Sequence, residues 1–156
     1  MALSDQATSR QDQEAQPPED DESVYDIFAE VKFEEPTMQK CWLILGQIHY
    51  HFEATDFLEP ITAETIGQET YDYYTSVIET PMDISTVMSR MQQHYYLDEA
   101  GGDSQQAKEC FRRDVNLIFS NCKEFNERGT EIYKSANRLS ILFRKLWFEI
   151  GLDHDY

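Results

Sequence analysis

The side chains in this sequence that are best able to do chemistry are three cysteines and four histidines: Cys41, Cys110, Cys122, His49, His51, His94 and His154. No histidine follows a glutamate by three positions, so the Glu-x-x-His pattern of di-metal sites in helical bundles is absent. The cysteines are odd in number and lack Cys-x-x-Cys spacing. The sequence therefore predicts no metal site, no disulfide framework and reduced thiols in an intracellular compartment.

Motifs of the common catalytic sites are also missing from the chain. The sequence has no Gly-rich phosphate loop, no GxSxG and no HExxH. Cys122 has no convincing histidine partner, which argues against a nucleophilic thiol. We predict that the protein is not an enzyme and that it has no catalytic residues and no cofactor.

Net charge constrains the choice of partner. The 156 residues include 13 Lys and Arg against 30 Asp and Glu, a net charge of -17. A charge of this sign repels phosphate at long range, so we expect no nucleic acid and no membrane surface as partner, and a basic partner instead. No apolar run approaches the roughly 18 residues that a membrane helix needs, and the N-terminus lacks the features of a signal peptide.

The acidic residues are concentrated at the start of the chain. Residues 1–36 hold 11 acidic and 2 basic residues, and such a segment buries too little apolar surface to offset its chain entropy. We predict a disordered acidic tail over 1–36, a globular domain over 37–151 and a short C-terminal tail over 152–156. An apolar patch leaves open whether the first tail is only solvated or docks: Val24, Tyr25, Ile27, Phe28, Val31 and Phe33.

Four segments after residue 36 repeat apolar residues every three or four positions, which predicts amphipathic helices. Their expected N-caps are Thr37, Asp83, Ser104 and Thr130, and Gly151 is expected to end the fourth. The first helix would bury Met38, Cys41, Trp42, Leu45, Ile48 and Phe52. The pattern predicts an all-α fold, a four-helix bundle.

The connection between the first two helices is unusually long. About 28 residues separate them, whereas connections in compact bundles run about 2 to 8. The segment from 54 to 81 is rich in apolar and aromatic residues, so we expect it to pack over one end of the bundle and line a concavity. It contains acidic residues and no Lys or Arg: Glu59, Glu64, Glu69, Asp72 and Glu79. These acids either favour a basic peptide or form only a solvated face.

Two segments, DYYTSVIETPMDISTVMSRM (72–91) and FRRDVNLIFSNCKEFNERGTEIY (111–133), resemble a bromodomain, and the resemblance extends over about 42–148. It implies a left-handed four-helix bundle with a long loop between helices one and two. It also implies an acetyl-lysine site where that loop meets the third interhelical connection. The implied partners are acetylated lysine peptides, such as histone tails, and other chromatin proteins, and the implied location is nuclear.

The same resemblance assigns seven residues to the acetyl-lysine site. Asn126 would donate a hydrogen bond to the acetyl oxygen, and Tyr73 would act through an ordered water. The remaining five would form the walls: Phe57, Ile61, Cys122, Phe125 and Ile132. An asparagine at a helix end is often only a C-terminal cap. Of the adjacent Tyr73 and Tyr74, one is expected to pack in the core, and the choice of Tyr73 for the pocket rests on the resemblance.

One departure from the family pattern keeps a second hypothesis open. Thr55-Asp56-Phe57 stands where many bromodomains have Trp-Pro-Phe, so the indole of the hydrophobic shelf beside the pocket is missing. The alternative to a reader is a bromodomain-like interaction scaffold with a degenerate pocket, which works through its acidic tail or its surface.

Overall fold

The computed structural model describes residues 26–153, and within this range the chain forms helices and no β-strand. Four of these helices correspond to the four predicted segments, so the prediction of an all-α four-helix bundle is confirmed. They are Pro36–His49, Ile84–Gln92, Ser104–Phe125 and Glu131–Glu149. In chain order the elements are α1 (Ile27–Glu30), α2 (Pro36–His49), a 3-10 helix (Phe52–Phe57), α3 (Ala63–Ile66), α4 (Gln68–Val77), α5 (Ile84–Gln92), α6 (Tyr95–Glu99), α7 (Ser104–Phe125) and α8 (Glu131–Glu149).

Two of the four predicted N-caps are correct. The Asp83 carboxylate accepts a hydrogen bond from the Thr86 amide at 3.1 Å, which fixes the start of α5. The Thr130 hydroxyl accepts one from the Tyr133 amide at 3.4 Å at the start of α8. Both residues therefore satisfy backbone donors that have no partner inside the helix.

The other two predicted N-caps, Thr37 and Ser104, are wrong. The Glu35 carboxylate accepts from the Met38 amide at 2.9 Å, so α2 begins at Pro36, a residue suited to the first helical turn. At α7 the Asp103 carboxylate accepts from the Gln105 amide at 3.0 Å. In each case an acidic side chain placed earlier in the sequence takes the capping role and adds a favourable charge at the helix start.

Phe52 is a further correction, because it does not belong to the buried face of the first helix. That helix ends at His49, and Phe52 begins the 3-10 helix with 84% of its surface exposed. The turn is set by His51, whose Nδ1 accepts from the Glu53 amide at 3.0 Å. The other five predicted residues of this face are buried.

Helix α7 forms the centre of the bundle. It packs against α2, α5, α6 and α8, and its apolar face is buried along its length. Phe111 on this face stacks on Trp147 of α8, with ring centroids 6.3 Å apart and planes at 12°. Aromatic packing of this kind adds to the burial of apolar area.

A buried polar network joins α5, α6 and α7. The Asp114 carboxylate, on the buried side of α7, accepts from Arg90 Nη1 and from the Tyr96 hydroxyl, both at 2.6 Å. Burial and the bond to Asp114 raise the pKa of Tyr96, so its hydroxyl stays a donor. The network satisfies polar groups that would otherwise be costly to bury.

The C-terminal end of α8 closes in a Schellman arrangement. Gly151 has φ 90°, and the Leu152 amide donates to the Trp147 carbonyl at 3.1 Å. Leu152 is buried, and its carbonyl accepts from Lys108 Nζ at 2.5 Å. Residues 154–156 of the predicted C-terminal tail lie outside the described residues.

The predicted acidic tail is described only in part. Residues 1–25, including Val24 and Tyr25 of the apolar patch, lie outside the described residues, so their disorder stays a prediction. A first compact unit ends at Lys32, and in it the structure describes α1, which Asp26 caps at the Phe28 amide. Phe33 begins the second unit and packs on Trp42, with ring centroids 5.3 Å apart.

Within residues 26–153 the structure contains no helix that is both long enough and apolar enough to cross a bilayer.

The Asp114 network leads to a test of stability. We expect Asp114→Ala to lower the free energy of unfolding by about 2 to 3 kcal/mol, because it leaves the buried Tyr96 hydroxyl without an acceptor. Urea denaturation monitored by circular dichroism measures this change. Asp98→Ala, which removes an exposed carboxylate from α6, is the matched control and should change little. Equal losses in the two variants would contradict a stabilising role for the network.

Candidate functional site

The predicted site lies where α7 ends and the chain turns into α8. Asn126 is the C-terminal cap of α7, and its amide nitrogen Nδ2 donates to the Cys122 carbonyl at 3.0 Å. Nδ2 also lies 3.6 Å from the Cys122 sulfur, its other polar contact among residues 26–153. Thiol sulfur is a weak acceptor, so a carbonyl oxygen brought to this point can replace it. Asn126 is thus both a helix cap and a group able to donate to a ligand.

Cys122 and Ile132 connect the two helices at this site. Cys122 is buried, and its thiol lies 3.5 Å from the Ile132 carbonyl oxygen, to which it donates. Burial raises the pKa of Cys122 to about 11, although the hydrogen bond from Asn126 acts in the opposite direction. The thiol is therefore protonated at neutral pH and presents a small apolar surface.

The two adjacent tyrosines of α4 differ sharply in exposure. Tyr74 is 5% exposed and packs edge-on against Phe125, with ring centroids 4.9 Å apart. Tyr73 is 62% exposed, and its ring centroid lies 5.7 Å from that of Phe125. This geometry disagrees with an inward-facing Tyr73. Tyr74 and Ile78 are both buried one helical turn apart, and this periodicity is the signal that would have selected Tyr74 from the sequence.

Burial of Tyr74 also affects its ionisation. Desolvation raises the pKa of its hydroxyl above the ordinary value, and the nearby Cys122 and Glu124 act in the same direction. The hydroxyl therefore keeps its proton at neutral pH and remains available as a hydrogen-bond donor or acceptor.

Of the predicted wall residues on the long connection, one is buried and one is not. Phe57 is 6% exposed and makes an edge-on contact with Phe119 of α7, with centroids 5.8 Å apart. Ile61 is 38% exposed, and it follows the 3-10 helix on a stretch without regular structure. Thr55 and Asp56 are both exposed. The connection thus places Phe57 against α7, as it does Tyr74, and leaves Thr55, Asp56 and Ile61 exposed to solvent.

Glu53 fastens the start of this connection to α8. Its carboxylate accepts from Arg138 Nε at 2.8 and 2.9 Å, from Arg138 Nη2, and from the Ser135 hydroxyl at 3.1 Å. These bonds hold the pKa of Glu53 below its ordinary value. Bidentate pairing fixes geometry as well as charge. The 3-10 helix that contains Phe57 is thereby held against the helix that contains Ile132.

Asn121 fastens the far end of the connection. It is 6% exposed, and its Nδ2 donates to the Thr80 carbonyl at 2.7 Å, just before α5. Asn121 was not among the residues predicted from the sequence. A polar side chain next to Cys122 on the buried face of a helix is nevertheless a signal, because a buried polar group needs a hydrogen-bond partner. No comparable signal marked Glu53 and Arg138, which are 85 positions apart.

The connection contains six acidic residues, and all are exposed: Asp56, Glu59, Glu64, Glu69, Asp72 and Glu79. Asp72 accepts a hydrogen bond from Gln68 at 2.8 Å. No Lys or Arg occurs between 54 and 81, so the exposed face of this segment is uniformly negative. Its potential attracts a cationic segment and repels an anionic one.

The arrangement as a whole suits a neutral polar group on an apolar stem. Tyr74, Phe125 and Ile132 supply apolar surface, and Asn126 supplies an amide donor. A site of this kind orients one hydrogen-bonding group among apolar contacts. An ammonium group entering it would lose its water without gaining a carboxylate partner.

Comparison with known proteins gives one family. The Bromodomain family matches residues 44–138, which is more than half of the chain. The chain is 31% identical over 110 residues to "Bromodomain adjacent to zinc finger domain protein 2B" of Gallus gallus, covering 70% of this chain and 4% of that protein. It is 27% identical over 148 residues to "Bromodomain-containing factor 1" of Candida albicans, covering 90% of this chain and 18% of that protein.

A third relative is "Bromodomain adjacent to zinc finger domain protein 2A" of Mus musculus, 31% identical over 109 residues. That match covers 70% of this chain and 5% of the mouse protein. The chain thus spans less than a fifth of the length of these three relatives.

The attachment through Glu53 predicts a pH-dependent contribution to stability. Because folding lowers the pKa of Glu53, its stabilising effect is present above the ordinary Glu pKa of about 4.3 and is lost as the pH falls below it. We expect Glu53→Gln to lower the free energy of unfolding at pH 7 and to have a smaller effect at about pH 3.5.

Urea denaturation of both forms at the two pH values measures this difference. Glu64→Gln is the matched control, because Glu64 is an exposed acid of the same connection without an ion pair among the described residues. An effect of Glu53→Gln that does not depend on pH would contradict the role of the charged pair.

Proposed function

This chain belongs to the bromodomain family, and on that basis we propose that it binds acetylated lysine through the site at the end of α7. Bromodomains are acetyl-lysine reader modules of chromatin-associated proteins and are not catalytic domains. The protein then acts by recognition alone. Its ligand is the acetylated side chain of another protein, and unmodified lysine is refused because its charge is not compensated in the site.

The observation that carries this proposal is the position of the Asn126 amide. One of its two hydrogens is held by the Cys122 carbonyl at 3.0 Å, which fixes the orientation of the side chain. The other contact of this nitrogen among residues 26–153 is a sulfur at 3.6 Å, so the oxygen of an acetyl group offers its second hydrogen a better acceptor. A preorganised donor of this kind loses little conformational entropy when the ligand binds.

We assign the second polar role in the site to Tyr74 rather than to Tyr73. Tyr74 is buried against Phe125, the residue just before Asn126, whereas Tyr73 points largely to solvent. A buried hydroxyl reaches the ligand through an ordered water, which costs little more than a direct hydrogen bond. Phe57, Phe125, Ile132 and Cys122 serve as walls, and Ile61 contributes from the open rim.

Basic histone tails are the partners that the surface charge favours. The exposed acids between Glu59 and Glu79 meet no neighbouring Lys or Arg on the same segment, so they attract a peptide rich in lysine and arginine. Binding to histone tails places the protein on chromatin in the nucleus. We propose other chromatin proteins as further partners, in keeping with the two relatives that are named for a bromodomain adjacent to a zinc finger domain.

Substitution of Asn126 tests the reader function directly. We expect Asn126→Ala to weaken binding of an acetylated histone peptide by about 5-fold to about 150-fold, since it removes a donor worth about 1 to 3 kcal/mol in a desolvated site. Calorimetric titration measures affinity, and thermal unfolding checks that the variant is folded. Asn116→Ala, on an exposed turn of the same helix, is the matched control. Unchanged affinity in folded Asn126→Ala would refute the assignment.

The paired substitutions Tyr74→Phe and Tyr73→Phe test which tyrosine serves the site. We expect Tyr74→Phe to weaken binding of the acetylated peptide several-fold, because it removes the hydroxyl that holds the water. Tyr73→Phe should leave the affinity within about twofold, because that hydroxyl lies in solvent. Fluorescence polarisation with a labelled peptide measures both. The opposite ranking would return the role to Tyr73.

A further inference from the structure

A groove between α7 and α8 differs in charge from the rest of this acidic chain. Its volume is about 360 Å³, and three cations line it: Arg112, Lys123 and Arg144. No carboxylate of residues 26–153 lines the groove, although the chain as a whole carries 30 acidic residues against 13 basic ones. The groove is thus a local positive site on a negative protein, and none of the residues assigned to the acetyl-lysine site lines it.

The base of the groove is aromatic and rigid. Phe119, Phe143 and Trp147 line it and are almost fully buried in the core. The Arg112 guanidinium lies over the Trp147 ring, 4.6 Å from its centroid, so one cation is held in place by the base itself. A rigid base with a fixed cation favours binding, because little has to be ordered when a ligand arrives.

The cations of the groove are not equally neutralised. Arg112 pairs with Glu109 and Asp153, each at 3.4 Å, and Lys123 donates to the Asn137 amide oxygen at 3.3 Å. Arg144 is exposed and makes no ion pair with any residue between 26 and 153. Arg144 and Lys123 therefore have charge available for an anionic ligand.

Two exposed apolar side chains share a face of α8 with Arg144, which lines the groove. Ile141 is 52% exposed and Phe148 is 58% exposed. Ile141, Arg144 and Phe148 stand at positions i, i+3 and i+7 of the helix. This spacing places all three side chains on one face of α8. A surface that alternates apolar and cationic groups complements a segment that alternates apolar and anionic groups.

A second, shallower cavity extends this surface along α7. Its volume is about 410 Å³, and it shares Arg112, Asn116 and Ser120 with the groove while adding Arg113. Arg113 is exposed and makes no ion pair within the described part of the chain. Glu109 at its border is the one acid that lines it. The positive surface thus extends along about three turns of α7.

From these observations we propose that the α7–α8 groove is a second binding site, which takes a short acidic peptide segment with apolar side chains from a partner protein. Carboxylates of the segment pair with Lys123 and Arg144, and its apolar side chains pack on Ile141 and Phe148. A long nucleic acid is less suited, because beyond the groove its phosphates meet a surface of the same sign.

The test uses the full chain and defined probes. A fluorescein-labelled peptide of Asp and Glu with Leu and Phe at i, i+4 spacing is titrated by fluorescence polarisation. Three further probes are titrated in parallel: the same peptide with Ala at both apolar positions, a peptide with Lys in place of every acid, and a random DNA duplex. We expect the acidic apolar peptide to bind most tightly, with an affinity that falls as salt rises.

Charge reversal locates the binding. We expect Lys123→Glu combined with Arg144→Glu to weaken binding of the acidic apolar peptide at least about tenfold, because like charges then face each other. Lys145→Glu is the matched control for Arg144→Glu alone. Both reverse one charge at an exposed position of α8, but Lys145 does not line the groove, so Lys145→Glu should alter affinity by no more than about twofold. Thermal unfolding checks each variant.

NMR chemical-shift perturbation on the unsubstituted protein locates the binding site without relying on any variant. Shifts on addition of the acidic apolar peptide should centre on α7 and α8 around Lys123 and Arg144. The proposal is overturned if the shifts centre elsewhere, if the Ala-containing peptide binds equally well, or if Lys145→Glu weakens binding as much as Arg144→Glu. Stronger binding of the DNA duplex would overturn it in favour of a nucleic-acid surface.

Discussion

Burial of one face of α7 is the constraint on which the rest of the structure depends. The helix runs from Ser104 to Phe125, and its apolar side chains contact every other helix of the bundle. Since side chains four positions apart share a helix face, burying Ile118 and Cys122 also directs Asn126 toward the end of the bundle. The hydrophobic core and the candidate ligand donor are therefore oriented by the same periodicity.

The long connection keeps a defined shape because side chains tie it to the bundle at both ends. Glu53 holds its start to α8, Asn121 holds its end to α7, and the Ser85 amide donates to the Leu58 carbonyl at 3.0 Å between them. Each of these attachments gives a polar group of the protein a hydrogen-bond partner within the protein. A segment fixed in this way can present the walls of a site without contributing a helix to the bundle.

The two proposed binding surfaces have opposite charge, and this difference separates their ligands. The connection that contains Phe57 has exposed acids, so under the proposed reader function it favours basic peptides that carry a neutralised lysine. Among the described residues, the charged groups that line the α7–α8 groove are all cations, so under the second proposal it favours acidic segments. If both proposals hold, repulsion between like charges keeps each class of ligand off the other surface, and one small domain can hold two partners at once.

The sequence alone determined the four helices, two of their caps, the family and the position of Asn126 at a helix end, because each depends on neighbours a few positions apart. The tertiary structure shows that Tyr74 is buried and that Tyr73 is exposed. The one-turn spacing of Tyr74 and Ile78 was a signal for this in the sequence. The exposure of Phe52 and the pairing of Glu53 with Arg138 became evident only from the tertiary structure. Contacts between residues 85 positions apart depend on how the helices pack, which no local pattern encodes.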